Sequence, residues 1–223
     1  MKKNLTEIVF ILDRSGSMGG LEADTIGGYN SMLKKQQEEE GEAVFSTVLF
    51  DDKVEVLHNR LNVSDVKPIT DKEYYVRGCT ALLDAVGGAI KHIGDVQKAM
   101  PKEERPDKTL FIITTDGMEN ASRKYSYDKV KKMVEKKKEK HGWEFIFMGA
   151  NMDAIEVAGH IGVDANRAVR FACDAVGTKL NYDAMAMMVG CARRSSSKEE
   201  MKMALNDDAL LANVRAHYES SRN

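Results

Sequence analysis

The apolar run Ile8-Val9-Phe10-Ile11-Leu12 stops abruptly at Asp13, and comparable strand-like runs recur at Thr109 to Thr114 and Glu144 to Met148. A strand half in water alternates apolar with polar side chains, whereas one covered on both faces does not. Such runs therefore predict the central strands of a parallel sheet. Between them the apolar spacing lengthens to three and four. Ile26, Tyr29 and Leu33 mark a helix over residues 22 to 40 that ends at Gly41, a C-cap residue. Leu82, Leu83, Val86, Ile90 and Ile93 mark a second over 81 to 99, and Val130, Met133 and Val134 a third over 126 to 140. Ala43 to Phe50 and Val54 to Leu57 are β-rich runs joined by Asp51-Asp52-Lys53, which is short enough for a hairpin and makes the second run an antiparallel edge strand. A short helix over Ala154 to Gly159, a last strand over Ala168 to Phe171 and a final helix over Asn181 to Arg193 complete the chain order β, α, β, β, α, β, α, β, α, β, α.

That alternation predicts an α/β doubly wound sheet with helices on both faces, because right-handed crossovers restrict where parallel strands can lie. With the first strand and the Thr109 to Thr114 strand as neighbours where the winding reverses, their carboxyl ends flank one crevice, the place where open sheets of this kind bind ligands. Into that crevice the chain delivers Asp13, Ser15 and Ser17 in a D-x-S-x-S pattern, Thr80 within Gly78-Cys79-Thr80, and Asp116 within Thr115-Asp116-Gly117. Hydroxyl and carboxylate oxygens are ligands for a hard dication. One at a time these residues have plainer uses, the hydroxyls as helix caps and Asp116-Gly117 as a turn. Their joint arrangement is what singles them out.

The three segments, Asp13 to Ser17, Gly78-Cys79-Thr80-Ala81-Leu82 and Thr115-Asp116-Gly117, resemble the metal-ion-dependent adhesion site (MIDAS) of von Willebrand factor type A domains, and the order of elements resembles that family over roughly residues 5 to 193. Asp13-Arg14-Ser15-Gly16-Ser17-Met18 is most similar to stand-alone bacterial or phage-type members. The resemblance implies a Rossmann-like, six-stranded, mostly parallel sheet with one antiparallel edge strand. It also implies Ser15, Ser17 and Thr80 as hydroxyl ligands, with Asp13 and Asp116 acting directly or through water. Magnesium is the first choice for this donor set, since it accepts a few fixed oxygens and keeps its waters; manganese can substitute, and calcium, which usually takes more carboxylate and carbonyl oxygens, is the third candidate. With three neutral hydroxyls and two carboxylates the ion's charge is at best just balanced, which leaves room for an acidic group from a protein partner.

Composition narrows the alternatives. The chain has 223 residues, 43% hydrophobic and 30% charged, with 33 Lys and Arg against 35 Asp and Glu and a net charge of −2. No global field draws it to nucleic acid or an anionic membrane. The lysine-rich stretch from Lys129 to Lys140 keeps helical apolar spacing and is interrupted by Glu135 and Glu139, so it reads as a solvated helix face. Cys79, Cys173 and Cys191 are odd in number and lack C-x-x-C spacing, which argues against a disulfide framework or zinc ribbon and for a reducing compartment. Lys2 and Lys3 precede an apolar stretch, but Asp13 and Arg14 end it before it amounts to a signal sequence, and no segment is long enough to span a membrane; the expected location is the cytoplasm.

An enzyme built on the same strand end, a magnesium-dependent phosphohydrolase or a nucleotide-binding protein, is the alternative. It lacks a second carboxylate at Ser15, a G-x-S-x-G elbow and a G-x-x-x-x-G-K-[ST] loop, and His58, His92, His141, His160 and His217 show no paired-ligand spacing. The expectation is a non-enzymatic binding module. Arg14, Met18 and Asn120 are placed on the rim of the site as partner contacts, Asp51 and Asp52 as turn formers, Asp153 as a helix cap, and Met185, Met187 and Met188 as core of the final helix. Residues 1–193 are expected to form the domain and 194–223 a helical extension, opening with a capping box at Ser197 and Glu200, that packs on the domain as an extra helix or two, with a partner-binding or regulatory tail as the alternative.

Overall fold

The computed structural model describes residues 2–150 and 153–222. Six strands form a single sheet: β1 (Lys2–Asp13), β2 (Ala43–Phe50), β3 (Val54–Asn62), β4 (Pro106–Thr115), β5 (Glu144–Ala150) and β6 (Ala168–Phe171), in the order β3-β2-β1-β4-β5-β6. β1 pairs in parallel with both β2 and β4, β5 and β6 continue the parallel run, and β3 closes the far edge antiparallel to β2. The expected winding reversal therefore falls between β1 and β4. Leu12 lies opposite Thr114 there, so both carboxyl ends open into one crevice.

Alternate side chains of β1 explain its unbroken apolar run. Ile8, Phe10 and Leu12 pack with α1 (Glu22–Glu38) and α5 (Ala175–Arg194), where Tyr29, Leu33, Met185 and Met188 meet them. Val9 and Ile11 face the opposite layer, formed by α2 (Leu82–Ala99), α3 (Tyr127–His141) and α4 (Ala154–His160). Between Ile8 and Leu12 two dry layers leave no position for a polar residue, while Glu7, just before that run, is buried only because Arg60 and Gln97 donate to it. Aromatic rings anchor both layers: Phe10 stacks near Phe45 and Tyr182 on one side, and Phe111 stacks on Trp143 and Phe145 on the other.

Caps fall where polar residues precede the helices. Ser126 accepts from the Lys129 amide, Asp153 from Glu156 and Ser197 from Glu200, while Gly142 ends α3 in the left-handed region at φ 64°. Glu200 turns back onto the Ser196 amide at 2.7 Å. The final sheet-covering helix begins at Ala175 rather than at 181, because Asp174 caps it by accepting from the Gly177 amide at 2.6 Å. β3 is longer than the run ending at Leu57 and pairs irregularly with β2, with Arg60 at φ 52°. Met185 and Met188 are buried as core, and Met187 faces solvent.

Beyond α5 the chain forms α6 (Lys198–Ala204) and α7 (Ala209–Ser220). Met201, Leu205, Leu211 and Val214 are buried in the same cluster as Ile8 and Phe10. No helix among the described residues is long and apolar enough to cross a membrane.

Candidate metal centre

At the end of β1 the chain must turn without a side-chain core, and local hydrogen bonds decide its path. One carboxylate oxygen of Asp13 accepts from the Ser15 amide at 2.6 Å; the other accepts from the Thr115 hydroxyl across the crevice. Residues Gly16–Met18 form a single helical turn whose Met18 tucks inward. Tyr74 donates its hydroxyl to the Asp13 carbonyl at 2.7 Å, the Gly16 amide donates to the Gly78 carbonyl at 3.2 Å, and the Arg77 amide donates to the Arg14 carbonyl at 2.9 Å. The first and second segments of the site are thus laced together through their backbones. Gly78 sits at φ +65° with the Asp52 carboxylate 2.5 Å from where a Cβ would stand, so any other residue would strain that turn and displace Asp52.

The lacing brings the three hydroxyls together. Ser15 Oγ lies 3.0 Å from Ser17 Oγ, and Thr80 donates to Ser15 Oγ, also at 3.0 Å. Thr80 is held by Asn120, whose side-chain oxygen accepts from the Thr80 amide at 2.9 Å. Gly117 closes the group: a Cβ there would stand 2.8 Å from Ser17 Oγ and 3.2 Å from Ser15 Oγ, and closer still to Thr80 Oγ1. Asp13, Ser15, Thr80 and Asp116 are buried, and Ser17 is exposed, so the cluster opens to solvent through Ser17.

Asp116 is the least satisfied member. Both of its carboxylate oxygens are buried and have no hydrogen-bond partner among the described residues. Burial raises its pKa, with the nearby Ser17 hydroxyl the main opposing influence. Burial likewise pushes Asp13 up to about 6, against the lowering effect of its bonds to Thr115 and Ser15, and the neighbouring Asp116 carboxylate adds to the rise. Two buried carboxylates in one crevice, one of them with only the Ser17 hydroxyl near it to oppose its burial, are groups that a cation would satisfy. Carboxylate and hydroxyl oxygens fit a hard ion; among the described residues no group of three His, Cys, Asp or Glu is placed to hold a metal, so the hydroxyls would have to take part.

All five expected site residues therefore converge. Of the rim residues, Asn120 is at the surface, but Arg14 and Met18 are buried. Arg14 donates to Asp51 at 2.8 Å and to Glu55 at 2.7 Å, and Arg77 donates to the same Asp51 oxygen at 2.8 Å. Asp51 accepts from the Lys53 amide as a turn former does, but it is also the buried anion that neutralises Arg14. Thr115, Tyr74 and Glu119 were not singled out in the sequence. Glu119 accepts from the Leu83, Ala121 and Ser122 amides and so fixes the loop carrying Asn120 to the start of α2. Thr115 was legible by its place beside Asp116; Tyr74 and Glu119 carried no local signal. Beside the centre runs a cleft of about 1190 Å³ between α2 and the β2–β3 hairpin, lined by Cys79, Asn120, Val54 and Val56 among others.

The sheet order, the reversal between β1 and β4 and the two helical layers define a Rossmann-like α/β protein. No family model matches the sequence, and no curated protein matches it. Solved structures do share its fold. A von Willebrand factor type A protein from Catenulispora acidiphila is 15% identical with a TM-score of 0.58, over 86% of this chain and 43% of that one. The von Willebrand factor domain of the type V pili tip protein Mfa5 from Porphyromonas gingivalis is 10% identical with a TM-score of 0.58, over 87% and 98%. Proximal thread matrix protein 1 from the mussel byssus, solved with a zinc-occupied MIDAS motif, is 16% identical with a TM-score of 0.52, over 94% and 46%. This chain spans less than half the length of the Catenulispora and mussel proteins. It has the von Willebrand factor type A fold, with the six-stranded sheet and single antiparallel edge that the resemblance implies.

Proposed function

We propose that this protein is a divalent-metal-dependent protein-interaction module, not an enzyme. Asp13, Ser15, Ser17, Thr80 and Asp116 hold the ion, directly or through water, and a carboxylate from a protein partner completes its coordination. The observation that carries this reading is the Asp116 carboxylate, buried with no charged or well-formed donor beyond the nearby Ser17 hydroxyl and set beside three hydroxyls linked through Ser15. A bound dication supplies the missing positive charge and a coordination position for an acidic side chain. Magnesium is the proposed ion. Zinc occupies the MIDAS motif of the mussel protein, which supports a divalent cation as the class. The neighbouring cleft, with Val54 and Val56 exposed along it, gives a partner segment room beside the ion. Residues 1–193 are proposed as the domain that carries this site and 194–223 as an extension of it. The cytoplasm is the proposed location, consistent with free thiols at Cys79 and Cys191.

Calorimetry with magnesium chloride tests the ion directly. Wild type should bind, whereas Asp116→Ala, which removes the unpartnered carboxylate, and Gly117→Ala, which puts a methyl group among the hydroxyls, should each weaken binding by at least about tenfold, the loss expected for one charged ligand. Equal affinity in all three proteins would reject the site. Partner capture should then depend on magnesium and be abolished by EDTA. Magnesium-dependent turnover of nitrophenyl phosphate, lost in Asp13→Ala, would instead favour a phosphohydrolase.

A further inference from the structure

At the opposite end of the sheet from the metal centre, α2, α3 and the chain entering β4 enclose a hollow of about 680 Å³. Its floor is apolar, with Trp143, Met133, Ile90 and Pro106, and its walls are cationic. Lys98 comes from the end of α2, Lys102 and Arg105 from the turn before β4, and Lys136 and Lys137 from α3. None of these five has a carboxylate within ion-pair distance among the described residues. The hollow's one acidic lining residue, Asp95, is taken by Lys91 at 2.5 Å.

Charge on helix ends has an ordinary use, because a helix carries about half a negative charge at its C-terminus and attracts lysines there. The ends of α2 and α3 both lie at this hollow, so together they answer roughly one positive charge and leave several unanswered. The residual field is felt by the groups inside it. Burial, and then the charges of Lys137, Lys198, Lys136 and Arg105, hold the His141 imidazole below its usual range, and burial and Lys136 do the same to the Lys137 ammonium. Two of the cations are also held in place. Arg105 is fixed by the Met100 and Lys98 carbonyls, each at 3.0 Å, and Lys137 lies 4.1 Å over the Trp143 ring, in a space that Gly94 leaves by having no side chain.

We propose that this hollow is a binding site for a small polyphosphate, a nucleoside di- or triphosphate or its inorganic counterpart, whose phosphates sit among Lys98, Lys102, Arg105, Lys136 and Lys137. The size suits such a ligand, since small-molecule sites run from about 300 to 1,000 Å³. The shape argues against a nucleic-acid strand. Strand-binding surfaces present exposed aromatic faces in a row along a basic groove, whereas Trp143 is buried and capped by Lys137, and the cations converge on one point from separate elements. Arg105 keeps donors of its fork uncommitted, as bidentate phosphate recognition requires.

Trp143 is the chain's single tryptophan, so its emission reports on this hollow alone. The full-length protein in EDTA, which silences the metal centre, should show saturable emission changes with ADP, ATP or inorganic triphosphate. Response to the nucleotides alone assigns the site to nucleotides, and response to all three assigns it to the phosphate chain; either supports the proposal. The double variant Lys98→Glu/Lys136→Glu changes two exposed side chains, should melt as wild type does, and should bind at least about tenfold more weakly. Silence with all three probes to millimolar concentration, tighter binding of a single-stranded oligonucleotide or of poly-glutamate, or undiminished binding by the double variant would each overturn it.

Discussion

Asp13 shows how one side chain serves two masters. Its oxygens organise the turn through Ser15 and Thr115, yet burial raises its pKa to about 6 from 3.8, so without an ion the site resists the charged form it must adopt to bind one. The consequence for stability has a definite sign. A carboxyl group whose folded pKa is raised stabilises the fold fully below its unfolded pKa, and that contribution is lost as pH climbs through the folded value. For Asp13 the window runs from about pH 4 to 7, and the difference between its ends is roughly 3 kcal/mol. Asp13→Asn cannot lose the proton. In EDTA its unfolding free energy, measured by urea denaturation, should therefore gain on wild type as pH rises across that window. His58 and His141, depressed by burial, act in the opposite sense in the same range and cancel in the difference. Parallel pH curves for the two proteins would mean that Asp13 titrates as an exposed carboxylate does. Magnesium should reverse the trend in wild type, because ion and proton compete for the same oxygens.

Elements differ in how openly the sequence declares them. Strands β1, β4 and β5 were legible because burial on both faces writes a continuous apolar run; Asp13, Ser15, Ser17 and Asp116 were legible because they fall at or just after strand ends, and Thr80 because Gly78-Cys79-Thr80 directly precedes a strongly periodic helix. Arg14 was not, since its place depends on Asp51 and Glu55, 37 and 41 residues away, which turn a cation expected at the rim into a buried one. The start of α5 was also hidden. Ala175 to Leu180 has no clean helical periodicity, and its course is set by a tertiary contact: Gly177 lies so close to the Ala172 backbone that an added Cβ would run into that carbonyl. A neighbouring backbone cannot swing aside as a flexible side chain can. Gly177→Ala should therefore cost about 1–3 kcal/mol of unfolding free energy, although alanine is the better helix former. A stabilised Gly177→Ala protein would show that the first turn of α5 has freedom to move away from β6.

At the scale of the molecule, the open matter is whether the last two helices are a separate appendage. Buried polar groups tie to the sheet both the end of α5 that leads into them and α6 itself. Lys108 on β4 donates to the Arg193 carbonyl at 2.8 Å and to the Ser195 carbonyl, and Arg167, just before β6, donates to the Lys202 carbonyl at 2.9 Å and to the Leu205 carbonyl while pairing with Glu144 at 3.1 Å. His217 on α7 reaches Asp174, the residue that caps α5, at 3.1 Å. Removing α6 and α7 would strip the Lys202 and Leu205 carbonyls from the buried Arg167 as well as uncovering apolar surface, so truncation mixes several effects. Leu211→Ala isolates one. Leu211 is buried in the cluster that contains Ile8 and Phe10, and deleting most of a buried leucine costs about 2–5 kcal/mol. If the helices belong to the same cooperative unit, that loss lowers the midpoint of one unfolding transition, seen identically by Trp143 emission across the sheet and by far-ultraviolet circular dichroism. If they fold independently, Trp143 should report an unchanged midpoint while a helical signal melts earlier. The shared core and the α6 carbonyls held by Arg167 predict the first outcome.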